Sequence, residues 1–536
     1  MQPSRLTRRA FLGTSALGIL GAAGCGGGGS SATRSSSTTR STHSTATSTT
    51  TSTTAAAPTP PDAADWAALR ESLAGRLVLP ADPGYGQARL VYDLRFSDAA
   101  PAAVAYAGSA TDVQRLVAFA REHALAPIPR CGSHSYGGYS TGSGLVIDVS
   151  PLAGVTVAGA SATVGAGARL IDTYSALGSA GVLVPGGSCP TVGITGLALG
   201  GGVGVLGRKY GLTADALAGL AVVSADGRIL DVDAGSEPDL YWASRGGGGR
   251  NFGIVTSLRF ATQPAPDLAM FTLDFPWGAA GDLFGAWCGW IEGAPDELWS
   301  NCLLLSAGSS GLLARATGVY VGGQAPLSAL VSALTRSVGT APTESSVTTA
   351  SYLEAMLIEA GCAEMTLAAC HLTGEGSAGT LSRSAFAAKS AYFASAPPAA
   401  GISAIVDAVA SFQSQLPALG GGLAFDSYGG AINAVAPDAT AFVHRDALCQ
   451  LQTSGSWGAG DSPATAAAVG GWLAETAAAL ADYTNGQAYQ NYIDPTLENW
   501  LEAYYGSNLP RLQAVKRAYD PDDVFHFAQS IPLAPA

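Results

Sequence analysis

Two glycine-rich loops carry the residues with the most chemical potential. The first runs Arg130-Cys131-Gly132-Ser133-His134-Ser135-Tyr136-Gly137-Gly138-Tyr139-Ser140. The second runs Pro185-Gly186-Gly187-Ser188-Cys189-Pro190-Thr191-Val192-Gly193-Ile194-Thr195-Gly196 and continues through Gly200-Gly201-Gly202-Val203-Gly204 to Tyr210-Gly211-Leu212. Loops so poor in side chains let backbone N–H groups approach an anionic ligand closely. The first loop holds the His134 imidazole beside the Cys131 thiol, and the second holds the Cys189 thiol, all potential nucleophiles. Taken singly, a loop His is usually a satisfied hydrogen-bonder and a buried Cys usually inert packing. A third cluster, Tyr489-Gln490-Asn491-Tyr492, alternates like a strand, with Tyr489 and Asn491 on one face and Tyr492 on the other. Tyr-rich strands mostly serve core and cross-strand packing.

The elements around these residues come next. Ala103–Ala107 has the character of a short strand, Thr111 can cap a helix that turns Val113, Leu116, Val117 and Ala120 inward, and Ala126–Arg130 resumes as a strand. That is a β-α-β unit feeding the first loop, with Leu145–Val149 as the next strand. Asp226-Gly227 turns a hairpin between Leu220–Ser224 and Arg228–Val232. A dinucleotide fingerprint is a poor match for the second loop, which is entered from Pro-Gly-Gly and has no acidic strand tip about 20 residues on. From about Gln263 to Asp482, strand-like segments (Ala269–Phe275, Cys302–Leu305, Ala316–Val321, Gly422–Ser427) alternate with Ala-rich helical ones (Leu327–Ser337, Thr465–Tyr483). This predicts an antiparallel sheet with helices on one face, an α+β unit. Tyr428, His371, His444 and Phe442 are candidates there for facing a substrate, and each also has a structural role open to it.

Composition narrows the function classes. At 536 residues with 27 basic and 40 acidic side chains, the chain carries −13 at pH 7, which disfavours nucleic acid and anionic lipid heads as partners. Glycine makes up 69 residues, well above the ordinary share, and 21 of them fall between Arg130 and Gly211. The N-terminus places Arg8-Arg9 before a modest apolar run from Ala10 to Ala23, followed by Gly24-Cys25. It resembles a twin-arginine export signal. Ala22-Ala23-Gly24-Cys25 resembles a lipobox, leaving open either a lipid on Cys25 or plain signal-peptidase cleavage. Residues 30–54 hold 20 Ser or Thr in 25, too few apolar groups to fold, and read as a tether. Folding is expected to start with Asp62 capping a helix that carries Trp66, Leu69 and Leu73. None of the eight Cys forms a CxxC pair, so no structural zinc site is expected. Cys362 with Cys370 is the nearest pair, Cys288 with Cys302 the next, and connectivity stays open.

The two loops in this order, then Arg245-Gly246-Gly247-Gly248-Gly249-Arg250-Asn251-Phe252-Gly253-Ile254-Val255, resemble the berberine bridge enzyme-like flavoproteins of the vanillyl-alcohol-oxidase, PCMH-type FAD fold. The segment from Tyr489 to Pro532 is similar to that family's C-terminal segment. The resemblance spans roughly residues 90–262 and 483–533. It implies an α+β chain built of a two-subdomain FAD-binding domain (63–262) and a substrate domain (263–482). Residues 483–536 would return to complete the first, after a signal (1–25) and a linker (26–62). It also implies FAD attached twice, His134 to the 8α carbon and Cys189 to C6. Around it would lie Arg130, Cys131, Gly132, Ser133, Ser135, Gly138, Gly187, Val192, Gly193, Gly196, Gly201, Gly202, Gly204, Tyr210, Gly211, Gly253, Ile254, Val255 and Asn491. Tyr492 would act as base, needing its phenol lowered by nearby positive charge or hydrogen bonds, and Tyr136 would contact substrate. Val192, three after the linking Cys, accompanies oxidases in that family. The implied activity is an exported oxidase passing hydride from an alcohol or saccharide carbon to flavin and on to O2. The alternatives are a dehydrogenase with a quinone or protein acceptor, and a non-catalytic flavin-binding surface lipoprotein.

Overall fold

The computed structural model describes residues 59–376, 378–458 and 460–533. The twin-arginine segment, Cys25 and the Ser/Thr tract up to residue 58 lie outside the described residues. Folding starts where expected: Asp62 caps helix Ala63–Ser72 in a reciprocal box with Asp65, and Leu69 is buried while Trp66 and Leu73 pack beside it.

The first unit pairs two small sheets. One has the order Arg76–Val78, Ala103–Tyr106, Leu145–Asp148, Pro127–Arg130, with the last three parallel. Helix Ala110–Glu122 makes the β-α-β crossover and buries Val113, Leu116, Val117 and Ala120. Its cap is Ser109, whose hydroxyl accepts from the Asp112 N–H, and not Thr111. The second sheet is antiparallel, ordered Val155–Ala158, Ser161–Gly165, Ile254–Ala261, Leu217–Val223, Ile229–Val232. Its last two strands form the hairpin turned by Asp226-Gly227. The segment from Ala488 to Ile531 returns to this unit: Tyr504, Leu512, Val515, Phe525 and Ile531 share one apolar core with Leu69, Leu116, Leu220 and Phe260.

The middle region folds as an antiparallel sheet of seven strands. The order is Glu344–Ala350, Leu268–Phe275, Leu312–Tyr320, Leu298–Ala307, Gly420–Ser427, Cys449–Trp457, Ala385–Phe393. Helices Ala280–Glu292, Gln324–Val338, Ala399–Gln415 and Pro463–Leu480 cover one face in a second core with Phe284, Trp287, Phe412 and Trp472. The period of two decides what remains. Along Leu298–Ala307, Cys302 and Leu304 turn under the helices, while Trp299, Asn301, Leu303 and Leu305 line a cavity on the opposite face. Cys362 and Cys370 are joined in a disulfide packed on Ile171, whereas Cys288 and Cys302 stay free thiols.

Candidate functional site

A cavity of about 1460 Å³ opens between the glycine loops and the uncovered face of the seven-stranded sheet. That exceeds the usual 300–1,000 Å³ of a single small-ligand site, so it has room for a large cofactor and a reactant together. Arg130, Cys131, Gly132, Ser133, His134, Ser135, Tyr136, Gly187, Cys189, Val192, Gly193, Gly196, Gly204, Gly253, Ile254, Val255, Asn491 and Tyr492 all line it. The loops can do so because they touch backbone to backbone. A Cβ on Gly132 would fall 2.2 Å from the Gly193 nitrogen, and one on Gly204 1.7 Å from the Gly186 carbonyl oxygen.

Some expected contacts lie elsewhere. Gly138, Gly201, Gly202, Tyr210 and Gly211 do not line the cavity. Gly138 and Gly201 abut the rings of Phe96 and Phe442, and Gly202 gives its N–H to the Tyr489 hydroxyl at 2.9 Å. Tyr210 and Gly211 close the short helix Gly207–Tyr210 behind the second loop. Nor do the middle-region candidates reach the cavity. Tyr428 and Phe442 sit in a buried cluster with Tyr392, and His371 turns to Asp172 at 3.0 Å. His444 is sealed between Gln487 and Gln490, with burial lowering its imidazolium to about 4.

Tyr489-Gln490-Asn491-Tyr492 is not a strand; Gln490–Tyr492 is a 3-10 turn. Its side chains are pinned, for Asn491 Nδ2 donates to the Leu197 carbonyl (3.0 Å) and to the Tyr489 hydroxyl (2.9 Å). The turn sets the ring of Tyr492 flat against Tyr136, centroids 5.1 Å apart and planes 6° apart. Gln452 Nε2 donates to the Tyr136 hydroxyl at 2.9 Å. Burial raises both phenols well above their ordinary value, and the charges that bear on Tyr492 from Tyr136, Asp426, Tyr489 and Cys189 push the same way. Among the described residues, neither a positive charge nor a hydrogen bond lowers the Tyr492 phenol.

A carboxylate faces the cavity instead. The register aligns Ser346, Thr272, Thr317, Asn301, Asp426 and Gln450 in one row across six adjacent strands. Ser346, Thr272, Thr317, Asn301 and Asp426 face the cavity. Burial raises the Asp426 carboxyl to about 7, and burial together with the Asp426 charge raises that of Glu359, on the same cavity wall, to about 7. Asn301 Oδ1 and both amide atoms of Gln450, flanking Asp426, have no hydrogen-bond partner among the described residues. An Asp inside an otherwise apolar segment, Gly422–Ser427, was the available sequence signal.

The nucleophiles are also set by burial. It lowers the His134 imidazolium to about 3, helped by the charges of Arg169 and Arg383, and raises the Cys189 thiol to about 11. The cavity suits FAD on two further counts. Arg250 lines it with no carboxylate partner among the described residues, its guanidinium donating to the Tyr139 carbonyl (3.0 Å) and lying over Phe527. Burial lowers it to about 10, so an anionic pyrophosphate beside it would relieve an uncompensated cation. At Gly196 and Gly249 a Cβ would meet nothing within 4 Å, leaving room along the wall for a ligand to lie against backbone.

Comparison with known proteins agrees. Residues 101–233 match the FAD binding domain family model, and residues 488–532 match the model described as berberine and berberine like. An FAD-linked oxidoreductase of Bacillus subtilis, YgaK, is 32% identical over 470 residues, 86% of this chain and 98% of that protein. The chitooligosaccharide oxidase of Gibberella zeae is 29% identical over 456 residues, 80% of this chain and 87% of that protein. The solved structure of Physcomitrella patens BBE-like 1 superposes with a TM-score of 0.80 at 31% identity, covering 88% of this chain and 99% of that one. An α+β PCMH-type fold, an FAD cavity and relatives matched along nearly their whole length lead to one conclusion: the chain belongs to the berberine bridge enzyme-like family of FAD-linked oxidoreductases.

Proposed function

We propose that this enzyme is an exported oxidase that takes hydride from an alcohol carbon of a saccharide and passes the electrons to O2, releasing hydrogen peroxide. Its FAD is bonded to His134 through the 8α carbon and to Cys189 through C6. The observation that carries this reading is the shared cavity, which His134 and Cys189 line on the loop wall and Asp426 on the sheet wall. When bound there, the flavin supplies the hydride acceptor.

The chain's own residues supply the rest. Asp426 takes the substrate hydroxyl proton near neutral pH, because its carboxyl titrates near 7, faces the cavity and bears on Tyr492. Tyr136 and Tyr492, held as neutral phenols, orient the hydroxyl and exclude water from it. The row Ser346, Thr272, Thr317, Asn301 offers hydrogen-bonding groups at about 4.8 Å per strand, which suits a polyhydroxylated chain. The sugar oxidase among the relatives supports that substrate class. Val192 on the loop wall favours O2 as acceptor, and the Cys362–Cys370 disulfide favours an oxidising compartment. On this reading the Ser/Thr tract tethers the body to a membrane or wall.

The test is a peroxide-release assay over a panel of reducing oligosaccharides and simple alcohols, with acid precipitation of the protein alongside. Peroxide from saccharides and a yellow pellet are expected. Anaerobic bleaching of the flavin without peroxide in air would instead assign a quinone or protein acceptor. No bleaching by any of the panel would assign a binding protein.

A further inference from the structure

The His134 imidazole is held from two sides by residues to which no role has yet been given. The Tyr92 ring stacks on it, centroids 3.9 Å apart and planes 20° apart. From the second glycine loop, the Thr191 hydroxyl oxygen lies 2.8 Å from Nε2. Among the described residues no hydrogen bond engages Nδ1, and the ring lines the cavity. Thr191 itself cannot drift: it is 2% exposed, and its carbonyl oxygen would stand only 2.9 Å from a Cβ on Gly132, so the two loops are locked together at this point.

We propose that Thr191 is a positioning residue for cofactor attachment. Its hydroxyl, hydrogen-bonded to Nε2 of His134, holds that nitrogen against the second loop, so that Nδ1 faces the cavity and is the atom that bonds the flavin. This rests on the His134 attachment proposed above. Stacking by Tyr92 fixes the plane of the ring but not which nitrogen points outward, since a half-turn about the bond to the ring preserves the stack. The hydrogen bond removes that ambiguity. The low-lying imidazolium keeps the ring neutral across the working pH range, so its lone pair is available.

Attachment forms one bond between Nδ1 and the 8α carbon. One proton leaves the methyl carbon and one leaves the imidazole, while two electrons pass into the ring and on to dioxygen, which takes up two protons and departs as hydrogen peroxide.

The experiment uses the full chain in a Cys189→Ala background, where only His134 can retain the flavin. Apoprotein made under riboflavin limitation is mixed with FAD, and the fraction of flavin staying with acid-precipitated protein is followed in time. Thr191→Val should slow that fraction's appearance about tenfold, the loss of one hydrogen bond, and Thr191→Ser should restore it. Tandem mass spectrometry and NMR of the flavin peptide should find the bond at Nδ1 alone, and a mixture of Nδ1 and Nε2 in Thr191→Val. Attachment by Thr191→Val at the parent rate and wholly at Nδ1 would overturn the inference. So would a bond at Nε2 in the Cys189→Ala parent, a measurement that needs no Thr191 variant to fold. If the parent releases all its flavin into acid, the His134 attachment itself falls, and this inference with it.

Discussion

Replacing Asp426 with Asn removes a sheet-wall carboxyl that faces the cavity, titrates near working pH and bears electrostatically on Tyr492. The change is isosteric, so the row of Asn301, Asp426 and Gln450 keeps its packing. A positioned general base is worth about 10²–10⁴ in rate, or about 3–5 kcal/mol of barrier. For a carboxyl titrating near 7, about nine-tenths is ionised at pH 8 and about one-tenth at pH 6. The wild-type rate should therefore fall roughly tenfold from pH 8 to pH 6, and Asp426→Asn should be slow and flat across that window. Anaerobic stopped-flow bleaching of the flavin isolates this step from reoxidation. Tyr492→Phe is the contrast: it loses one hydrogen bond, costs about fivefold to tenfold, and keeps the wild-type inflection. A loss under tenfold in Asp426→Asn, or an unchanged inflection, would refute Asp426 as the proton acceptor. A phenol such as Tyr492 would then have to be ionised by the bound cofactor.

Other expectations concern stability. Asp426 titrates in the folded chain near 7 against an ordinary 3.8, so the folded state holds a proton that the unfolded state has lost between those values. Stability falls as pH rises through that window, and Asp426→Asn should raise Tm more at pH 8 than at pH 5 by calorimetry. The Cys362–Cys370 bridge closes a short loop, eight residues apart in sequence, and its chain-entropy contribution is about 2.5 kcal/mol. The Cys362→Ser, Cys370→Ser double variant should lower the denaturant midpoint accordingly, and an unchanged midpoint would count against that origin. Gly204→Ala drives a methyl into the Gly186 carbonyl, backbone against backbone, and should cost about 1–3 kcal/mol or more with loss of bound flavin. Normal flavin content in that variant would mean the loops are not locked as described.

What could be read from the sequence was local. The glycine loops, His134 and Cys189 announce themselves because a dozen adjacent residues share one task, and the β-α-β unit follows from helix and strand periods around them. The Asp62 cap was equally plain, whereas at helix Ala110–Glu122 Ser109 won over Thr111 because its hydroxyl meets the Asp112 N–H. Asp426 was hidden for a different reason. Its neighbours Asn301 and Gln450 arrive from other strands, and burial by distant elements is what moves its titration. Tyr489-Gln490-Asn491-Tyr492 misled through alternation alone: four residues suit a strand as well as a tight turn, and the bonds from Asn491 to Leu197 and Tyr489 chose the turn. Tyr428, Phe442 and His444 were open to either role, because aromatic residues in a sheet domain serve packing as readily as a binding wall, and here they are packed away from the cavity.

The return of Ala488–Ile531 to the first core has a consequence for how the molecule is made. The helix carrying Leu116 and the strand carrying Leu220 cannot finish burying their apolar faces until a segment more than 250 residues downstream has emerged from the ribosome and docked. Lys516 seals that docking: wholly buried, it bonds Asp520 and the carbonyls of Asn251 and Phe525, tying the late segment to an early loop. Such long-range pairing delays folding and leaves apolar surface of the early half uncovered in the meantime. It also orders events, because the wall carrying Asn491 and Tyr492 cannot exist before the rest is built, so the cofactor can be taken up only by a finished chain.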